Sequence, residues 1–533
     1  MRQFLERNKY TFGLCLLIIG LTLSPFLMSI AQFWLVGVWL VDGVQFKQPL
    51  GKLFSQIGKN LKTKLSDFCH NKVAIAVTLL YALHVVGLLW TSDFAYALKD
   101  LRVKLPLLIL PLIMSTMPQT DKRQTTGLLV VYVASVFVAT LVSYYKYVTA
   151  DYSDIRQIST IISHIRFSLN ILLCLCVLMY VIVNGKKLWV RLVSVVLGAW
   201  FLIQIYIMQV LSAYLILFGL VVFSVFYVIV ASGMGRKAKA ALSVLWTAVV
   251  VVAIVLVVRM AMPLFKVEKI DRSKLPVMTA HGDYYYHDTT YTGVEDGRYI
   301  GLYYCENELR ESWNKRSPVS FDDTIAGGAK VKHLLMRYMT SKNLTKDAVG
   351  MEQMSDDDIQ NVLNGVNNYN NFIHPGLRSR ISVLAFEINN YRKTGNPNGG
   401  SVSQRFEYNK ASFYLIKQHP LFGVGTGDIP NAYKQASEDL DSHLNERYRY
   451  KAHNQYLSIT VGFGVIGLLI FLFSVFFPYI MSKNKWNFLS ISFLLIFLLS
   501  MLPEDTIETQ AGATFFAFFN AFFLFTMPDD EYK

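Results

Sequence analysis

The chain's 533 residues are 53% apolar and only 17% charged, against roughly 25% charged in an average soluble chain. That balance excludes an ordinary string of soluble domains. The net charge of +14 raises nucleic acid as a partner, a reading that the distribution of the charge removes.

Runs of about 18 or more nearly uncharged apolar residues recur, each long enough to cross a hydrocarbon core. Membrane spans are expected near 10–28, 30–45, 73–91, 103–118, 126–148, 164–184, 188–206, 209–231, 241–262, 453–481, 486–503 and 510–527. Pro25 and their short lengths give the first two the look of a hairpin. No Ala-x-Ala-like cleavage site follows the first run, so it is expected to stay as a helix rather than leave as a signal peptide. The fold class predicted is an all-α polytopic membrane protein of about 12 transmembrane helices, with a large, mainly helical loop domain between spans 9 and 10. It divides as an N-terminal bundle (1–263), the loop domain (264–452) and a C-terminal bundle (453–533).

The connections sort by charge. Arg2, Arg7 and Lys9 begin one set, followed by Lys47, Lys52, Lys59, Lys62, Lys64 and Lys72, and by Lys122 and Arg123. Lys186, Lys187 and Arg191, then Arg236, Lys237 and Lys239, then Lys483 and Lys485 complete it. Every alternate connection falls in this set, as cytoplasmic loops require, which makes both termini cytoplasmic. The long loop carries 24 Lys/Arg against 23 Asp/Glu, so the excess charge lies on the cytoplasmic rim, where it meets anionic lipid. No nucleic-acid partner is needed to explain it.

Of the five cysteines, only Cys305 falls in the loop, which must therefore fold without an internal disulfide. The loop has three textures. Residues 264–320 are rich in tyrosine, including Tyr284, Tyr285, Tyr286, Tyr291, Tyr299, Tyr303 and Tyr304. Such rings stack on sugars, but strand propensity explains them as well. Residues 321–393 read as polar helices. Ser355 before Asp356, Asp357 and Asp358 is read as a helix cap with acidic residues in the first turn, in preference to a metal site. After a Gly/Asn/Pro linker, Ser403 is expected to cap a helix from Arg405 to about Gln418, stopped by Pro420.

Pro420-Leu-Phe-Gly-Val-Gly-Thr-Gly-Asp428 follows. It is neither a dinucleotide fingerprint nor a phosphate loop, since it lacks a surrounding βαβ unit and a following Gly-Lys-Ser/Thr. Gly423, Gly425 and Gly427 are expected to allow a turn whose backbone approaches another element or a ligand.

Ionisable residues within or beside spans are costly and point to function. His164 and Arg166 open the sixth span, Arg405 lies in the loop, His453 begins the tenth span, and Glu504, Asp505 and Glu508 fill the last outer turn. The topology sends all of them to one face. Each also has a plainer reading. Arg166 can snorkel to lipid phosphate, Arg405 can be a solvated helix residue, and His453 can be a hydrogen-bonded boundary histidine. The acidic turn is read first as a cap for the last helix, and His84 as a packed residue without a charged partner.

The segment Arg405, Ala411, Pro420-Leu-Phe-Gly-Val-Gly-Thr-Gly427, His453-Asn-Gln-Tyr-Leu457 and Gly462-x-Gly464-x-x-Gly467 resembles the signature of the O-antigen ligase and polymerase superfamily. Pro503-Glu-Asp-Thr-Ile-Glu-Thr-Gln510 before a Phe-rich last span is similar to its C-terminal end. The resemblance is specific over about 400–525, weaker over the earlier spans, and absent from about 264–400. It implies a metal-independent glycosyltransferase without cofactor in the bacterial inner membrane, its large loop periplasmic. The donor is a polyprenyl-diphosphate-linked glycan. The acceptor is lipid A–core for a ligase, or another lipid-linked repeat for an O-antigen or exopolysaccharide polymerase. His453 then corresponds to the family's loop histidine as general base, and Arg166 and Arg405 to its diphosphate-binding arginines. His164, Asn454, Gly425, Glu504 and Glu508 are candidates for supporting roles. One departure stands out: many members carry Ser-Arg near the eighth span, where this chain reads Ser212-Ala-Tyr214, which puts an arginine role there in doubt. A lipid-linked glycan transporter is the rival from another class.

Overall fold

The computed structural model describes residues 2–44, 49–149, 155–290, 293–325, 328–449, 451–482 and 486–528. Lys47, Tyr291, Lys483 and Lys485 lie outside the described residues.

The N-terminal part is a succession of helices: α1 (Arg2–Leu23), α2 (Pro25–Val41), α3 (Leu50–His70), α4 (Lys72–Val86), α5 (Phe94–Lys104), α6 (Pro106–Thr116) and α7 (Lys122–Thr149). It continues with α8 (His164–Asn184), α9 (Leu188–Met208), α10 (Leu211–Ala231) and α11 (Arg236–Phe265). The first two form the hairpin that Pro25 suggested. Ser24 accepts from the Leu27 N–H, and Pro25 occupies the first helical position, where its missing donor costs nothing.

The loop opens with a short antiparallel pair, β1 (Val294–Glu295) and β2 (Arg298–Tyr299). It then turns helical with α12 (Glu306–Arg316), α13 (Val331–Ser341), α14 (Ala348–Glu352), α15 (Asp356–Leu363) and α16 (Tyr369–Ile373). The longer α17 (Leu377–Thr394), α18 (Ser401–Gln418) and α19 (Ile429–Asp439) follow. Residues 300–362 bury a core of their own around Leu309, Trp313, Phe321, Leu335 and Tyr338. As expected, Ser355 caps α15, and Asp358 completes a capping box with it. Ser403 is no cap. Helix α18 starts four residues earlier than predicted, and the Ser403 hydroxyl donates to the carbonyls of Pro397 and Gly400. The chain closes with α20 (Gln455–Met481), α21 (Phe488–Ser500) and α22 (Gln510–Ala521).

Among the described residues seven helices are long and apolar enough to cross a membrane: Lys72–Trp90, Lys122–Thr149, His164–Asn184, Leu188–Met208, Leu211–Ala231, Arg236–Phe265 and Gln455–Met481. Four further apolar helices are shorter: Asn8–Leu23, Pro25–Val41, Phe488–Ser500 and Gln510–Thr526. The one remaining expected span, 103–118, contains only the eleven-residue α6, because Leu105-Pro106 separates it from α5. An all-α membrane protein therefore stands, while seven rather than twelve helices meet the full length. Helix α11 has no buried residue, as an apolar helix facing lipid on most sides would.

Helix α20 is broken inside its apolar run. Gly464 has φ 67° and ψ −169°, which interrupts the helical ladder and frees backbone groups. The loop 420–425 takes them up. Val424 N–H donates to Val461 C=O and Gly425 N–H to Gly462 C=O, both at 2.9 Å. In return Val465 N–H donates to Pro420 C=O at 2.8 Å, and Ile466 N–H to Leu421 C=O at 3.4 Å. Such close approach needs glycine on both sides. A Cβ on Gly464 would lie 2.1 Å from Leu421 C, and one on Gly423, itself at φ 66°, 2.3 Å from Gly462 C. Beyond the clasp, Asp428 accepts from the Ser92 N–H and hydroxyl and from the Asp93 N–H, tying the loop to the start of α5, which Asp93 caps.

Gly464→Ala should therefore lower stability by about 2–5 kcal/mol, from a left-handed backbone and an overpacked contact together. Gly58→Ala, whose Cβ meets nothing within 4 Å, should be neutral or slightly stabilising by helix propensity. Unfolding of the two variants in detergent, followed by far-UV circular dichroism, checks this; equal midpoints would contradict the clasp.

Candidate functional site

The turn 501–509 between α21 and α22 gathers polar groups from four other elements. Helix α22 is capped by Thr509, whose side chain accepts from Gly512 N–H. The acidic residues are thus not its cap, contrary to expectation. They face inward instead.

Glu504 meets two of the predicted site residues. Arg405, on the first turns of α18, donates from Nη2 to Glu504 Oε1 at 2.8 Å. The other carboxylate oxygen lies 3.7 Å from His453 Nδ1, an electrostatic contact just beyond hydrogen-bond length. The His453 ring is 26% exposed and lies 5.2 Å from the ring of Tyr408. Its Nδ1 side is turned to the acid. Burial opposes ionisation of Glu504, but the His453 ring and the charges of Arg405 and Arg166 hold its carboxyl below the usual range.

Asp505 fixes the backbone. Its Oδ2 accepts from the His453 N–H at 2.9 Å and its Oδ1 from the Ser458 hydroxyl at 2.7 Å. His453 has φ 51°, a strained conformation for a non-glycine residue that the surroundings must hold in place. Burial, with the charge of Glu508 added, raises the Asp505 carboxyl above its ordinary value. Arg166, on the first turn of α8, donates from Nη2 to the Asp505 carbonyl at 3.3 Å. Its buried Nε has no hydrogen-bond partner among the described residues. A narrow recess lined by Leu21, Ile162, Asn170, Gly512 and Phe515 adjoins it. Unsatisfied buried donors are rare and call for an explanation; an anionic ligand is one.

Glu508 completes the turn. It accepts from Lys104 Nζ at 2.6 Å and from Gln455 Nε2 at 2.8 Å. Lys104 is 1% exposed and pairs with Asp100 one helical turn earlier at 2.8 Å. Burial works against ionised Glu508, yet Lys104 keeps its carboxyl below the ordinary value. The sequence reading missed Lys104 and Asp100. Their signal was an Asp–Lys pair at (i, i+4) spacing at the edge of an expected span. His84 has charged neighbours after all. Its ring packs on Phe463 with centroids 4.7 Å apart, and Lys104 and Glu508 act on it electrostatically.

The other candidates take lesser places. Asn454 caps α20 through the Leu457 N–H and donates to the Leu502 carbonyl, so its side chain is committed to the fold. Gly425 belongs to the clasp and approaches Trp90 and Thr91. His164 opens α8 and is half-buried. Ser212 and Tyr214 lie on α10, where the Tyr214 hydroxyl donates to the Tyr206 carbonyl. Among the described residues Asp283, Cys305 and Glu308 form the one grouping close enough to share a metal ion. Both Glu308 oxygens are already engaged, one by Thr279 and one by the Ala348 N–H, which favours a structural role.

The acid limb of stability follows from Glu504. Its carboxyl is held low in the native state, so ionised Glu504 favours folding above about pH 4.3, the unfolded value. That contribution is lost as pH falls through the native value. Glu504→Gln removes it, so the unfolding midpoint of this variant should fall less steeply between pH 5 and 3, on the order of that interval. Superimposable pH profiles for variant and wild type would contradict the assigned contact.

Residues 359–472 match the family model described as O-antigen ligase. The match supports membership of the O-antigen ligase superfamily. It begins further upstream than the resemblance read from the sequence, which started at about 400. It holds Arg405, the clasp glycines and His453, and ends before the acidic turn. No curated protein matches the chain.

Proposed function

We propose that this protein is a membrane-embedded glycosyltransferase of the O-antigen ligase type. It moves a glycan from a polyprenyl diphosphate to a hydroxyl of lipid A–core. The reaction runs on the periplasmic face of the bacterial inner membrane, with both termini cytoplasmic. One observation carries the reading. Arg166, Arg405 and His453 come from three distant stretches of chain and meet on the Glu504–Asp505 turn.

The chemistry suits those groups. The acceptor hydroxyl oxygen attacks the anomeric carbon, and the bond from that carbon to the diphosphate oxygen breaks. The hydroxyl proton passes to His453, and the electron pair leaves on the polyprenyl diphosphate. Because Nδ1 faces Glu504, Nε2 is the nitrogen that takes the proton. Glu504 acts as a positioning residue that orients the ring. Charge developing on the leaving diphosphate is met by the guanidinium groups of Arg166 and Arg405, whose forked donors suit phosphate oxygens. With two arginines in that role the step needs no metal. For Arg405 the donor must compete with Glu504. Apolar helices accommodate the prenyl tail.

A polymerase of the same superfamily uses the same donor chemistry, and a gene knockout separates the two. Loss of all glycan from lipid A–core fits a ligase, whereas a single repeat left attached fits a polymerase. The break in α20 favours a transporter at first sight, since transporters bind substrate at interrupted helices. Here, however, four of the freed groups are satisfied by the loop 420–425 and are not left to line a cavity. Flux of labelled lipid-linked glycan without bond transfer would favour the transporter.

In a reconstituted assay, His453→Ala should fold normally and lose about 10²–10⁴-fold in transfer rate, the usual worth of a general base. Undiminished transfer would remove His453 from catalysis. Arg166→Ala and Arg405→Ala should each lower transfer by about 10²–10³-fold, as for other lost donors to a developing charge. Normal donor dependence in both would remove them from the site.

A further inference from the structure

A polar cleft of about 270 Å³ lies in the loop, outside the segment that matches the family, and no residue of the 501–509 turn lines it. Its walls come from β2, the strand-like turn after it, and the connection between α13 and α14. The groups that matter are Glu268, Arg298, Tyr299, Tyr303, Asn343 and Lys346. This size is at the small end for a small-molecule site, enough for a single sugar ring.

Three features make the cleft more than a surface irregularity. Lys346 is 3% exposed, yet no carboxylate pairs with it among the described residues. Its Nζ donates to the Leu302 carbonyl at 2.9 Å, which leaves donor capacity unused. Burial, with Arg298 beside it, pushes its ammonium down to about 8. Arg298 has no ion pair among the described residues; of the residues that line the cleft Glu268 alone is acidic, and Asp347, behind Lys346, adds a second opposing charge while its oxygens are held by Tyr285, Thr345 and the Gly350 N–H. The rim is also built from unusual backbone: Tyr303 and Asn343 have φ 52° and 59°. Such residues persist where the surroundings fix them, and they gather at ligand sites. Tyr303 is held by its N–H to His287 Nδ1, and Lys393 covers the Tyr299 ring at 3.7 Å.

We infer that this cleft binds a carboxylate-bearing sugar, with Arg298 and Lys346 on the carboxylate, Tyr299 and Tyr303 against the ring, and Asn343 and Glu268 on its hydroxyls. Guanidinium and carboxylate form forked, charge-assisted pairs, while aromatic faces and short polar groups suit the alternating apolar and hydroxyl surfaces of a saccharide. The sugar class rests on the glycan-transfer reading above; the surplus positive charge does not. The tyrosine-rich segment thereby gains a use beyond strand propensity.

Titration calorimetry of the full chain in detergent tests this with trigalacturonate, maltotriose and inorganic phosphate. Trigalacturonate should bind, and Arg298→Ala should weaken it by about tenfold or more, the worth of one charge-assisted hydrogen bond. Asn343→Gly keeps the left-handed backbone and removes only the amide, so it should fold and weaken binding less. Maltotriose should bind poorly, and phosphate should not compete. Equal affinity for maltotriose would overturn the carboxylate assignment, and full competition by phosphate would overturn the saccharide assignment. No binding, or binding indifferent to both variants, would overturn the site. His453→Ala should bind trigalacturonate normally. Loss of the glycan-transfer reading with binding intact would spare the cleft, and lost binding with His453-dependent transfer intact would reject the cleft alone.

Discussion

A helix broken in the middle of an apolar run is untenable in lipid unless its freed backbone groups find partners within the protein. In α20 the partners are the four backbone groups of Pro420, Leu421, Val424 and Gly425. Much else is anchored to that exchange. The loop segment that forms the clasp joins α18 to α19, so fixing it against α20 fixes the helix that carries Arg405. The start of the broken helix carries His453 and Gln455 at its N-terminal boundary. The glycines are there because two backbones must approach to hydrogen-bonding distance with no Cβ between them, and Asp428 then ties the loop to the start of α5.

The second constraint is electrostatic. Glu504, Asp505 and Glu508 are crowded on one buried turn and are tolerable only with compensating groups nearby. Lys104 and Gln455 hold Glu508, Ser458 and the His453 N–H hold Asp505, and Arg405 and His453 share Glu504. The arrangement is stiff around Glu508, where the partner is a lysine already paired with Asp100. It is open around Glu504, where the histidine and arginine are partly exposed. Arg166 contributes a buried Nε with no hydrogen-bond partner among the described residues. An anion arriving beside Arg166 and Arg405 would meet donors not fully satisfied by the fold.

Much of this was legible in the sequence, for identifiable reasons. Long apolar runs declare helices regardless of their neighbours, and Ser355 declares a cap because its competing hydrogen bonds are local. The triple glycine announced a close backbone approach but not its partner, which lies forty residues on at 461–466. The break at Gly464 left no mark in hydropathy, because the run is apolar on both sides of it. Ser403 misled because the Gly400 start of α18 lies beyond a linker that any of several residues could have ended. Lys104 and Asp100 were split between a loop and an assumed span, although Leu105-Pro106 ends α5 there and keeps the pair on one helix. Acidic residues just before a helix suit its dipole, so the turn reads as a cap from sequence alone. Only the tertiary fold reveals that Thr509 already fills that place.

The central claim is that Arg166, Arg405 and His453 form a single transfer site on the Glu504–Asp505 turn. The most direct measurement is an experimental structure of the full chain with a non-transferable polyprenyl-diphosphate sugar bound. The account predicts the diphosphate between the guanidinium groups of Arg166 and Arg405, and His453 Nε2 on the side of the anomeric carbon from which an acceptor hydroxyl attacks. A diphosphate bound away from both arginines, or a His453 ring turned from the sugar, would contradict it.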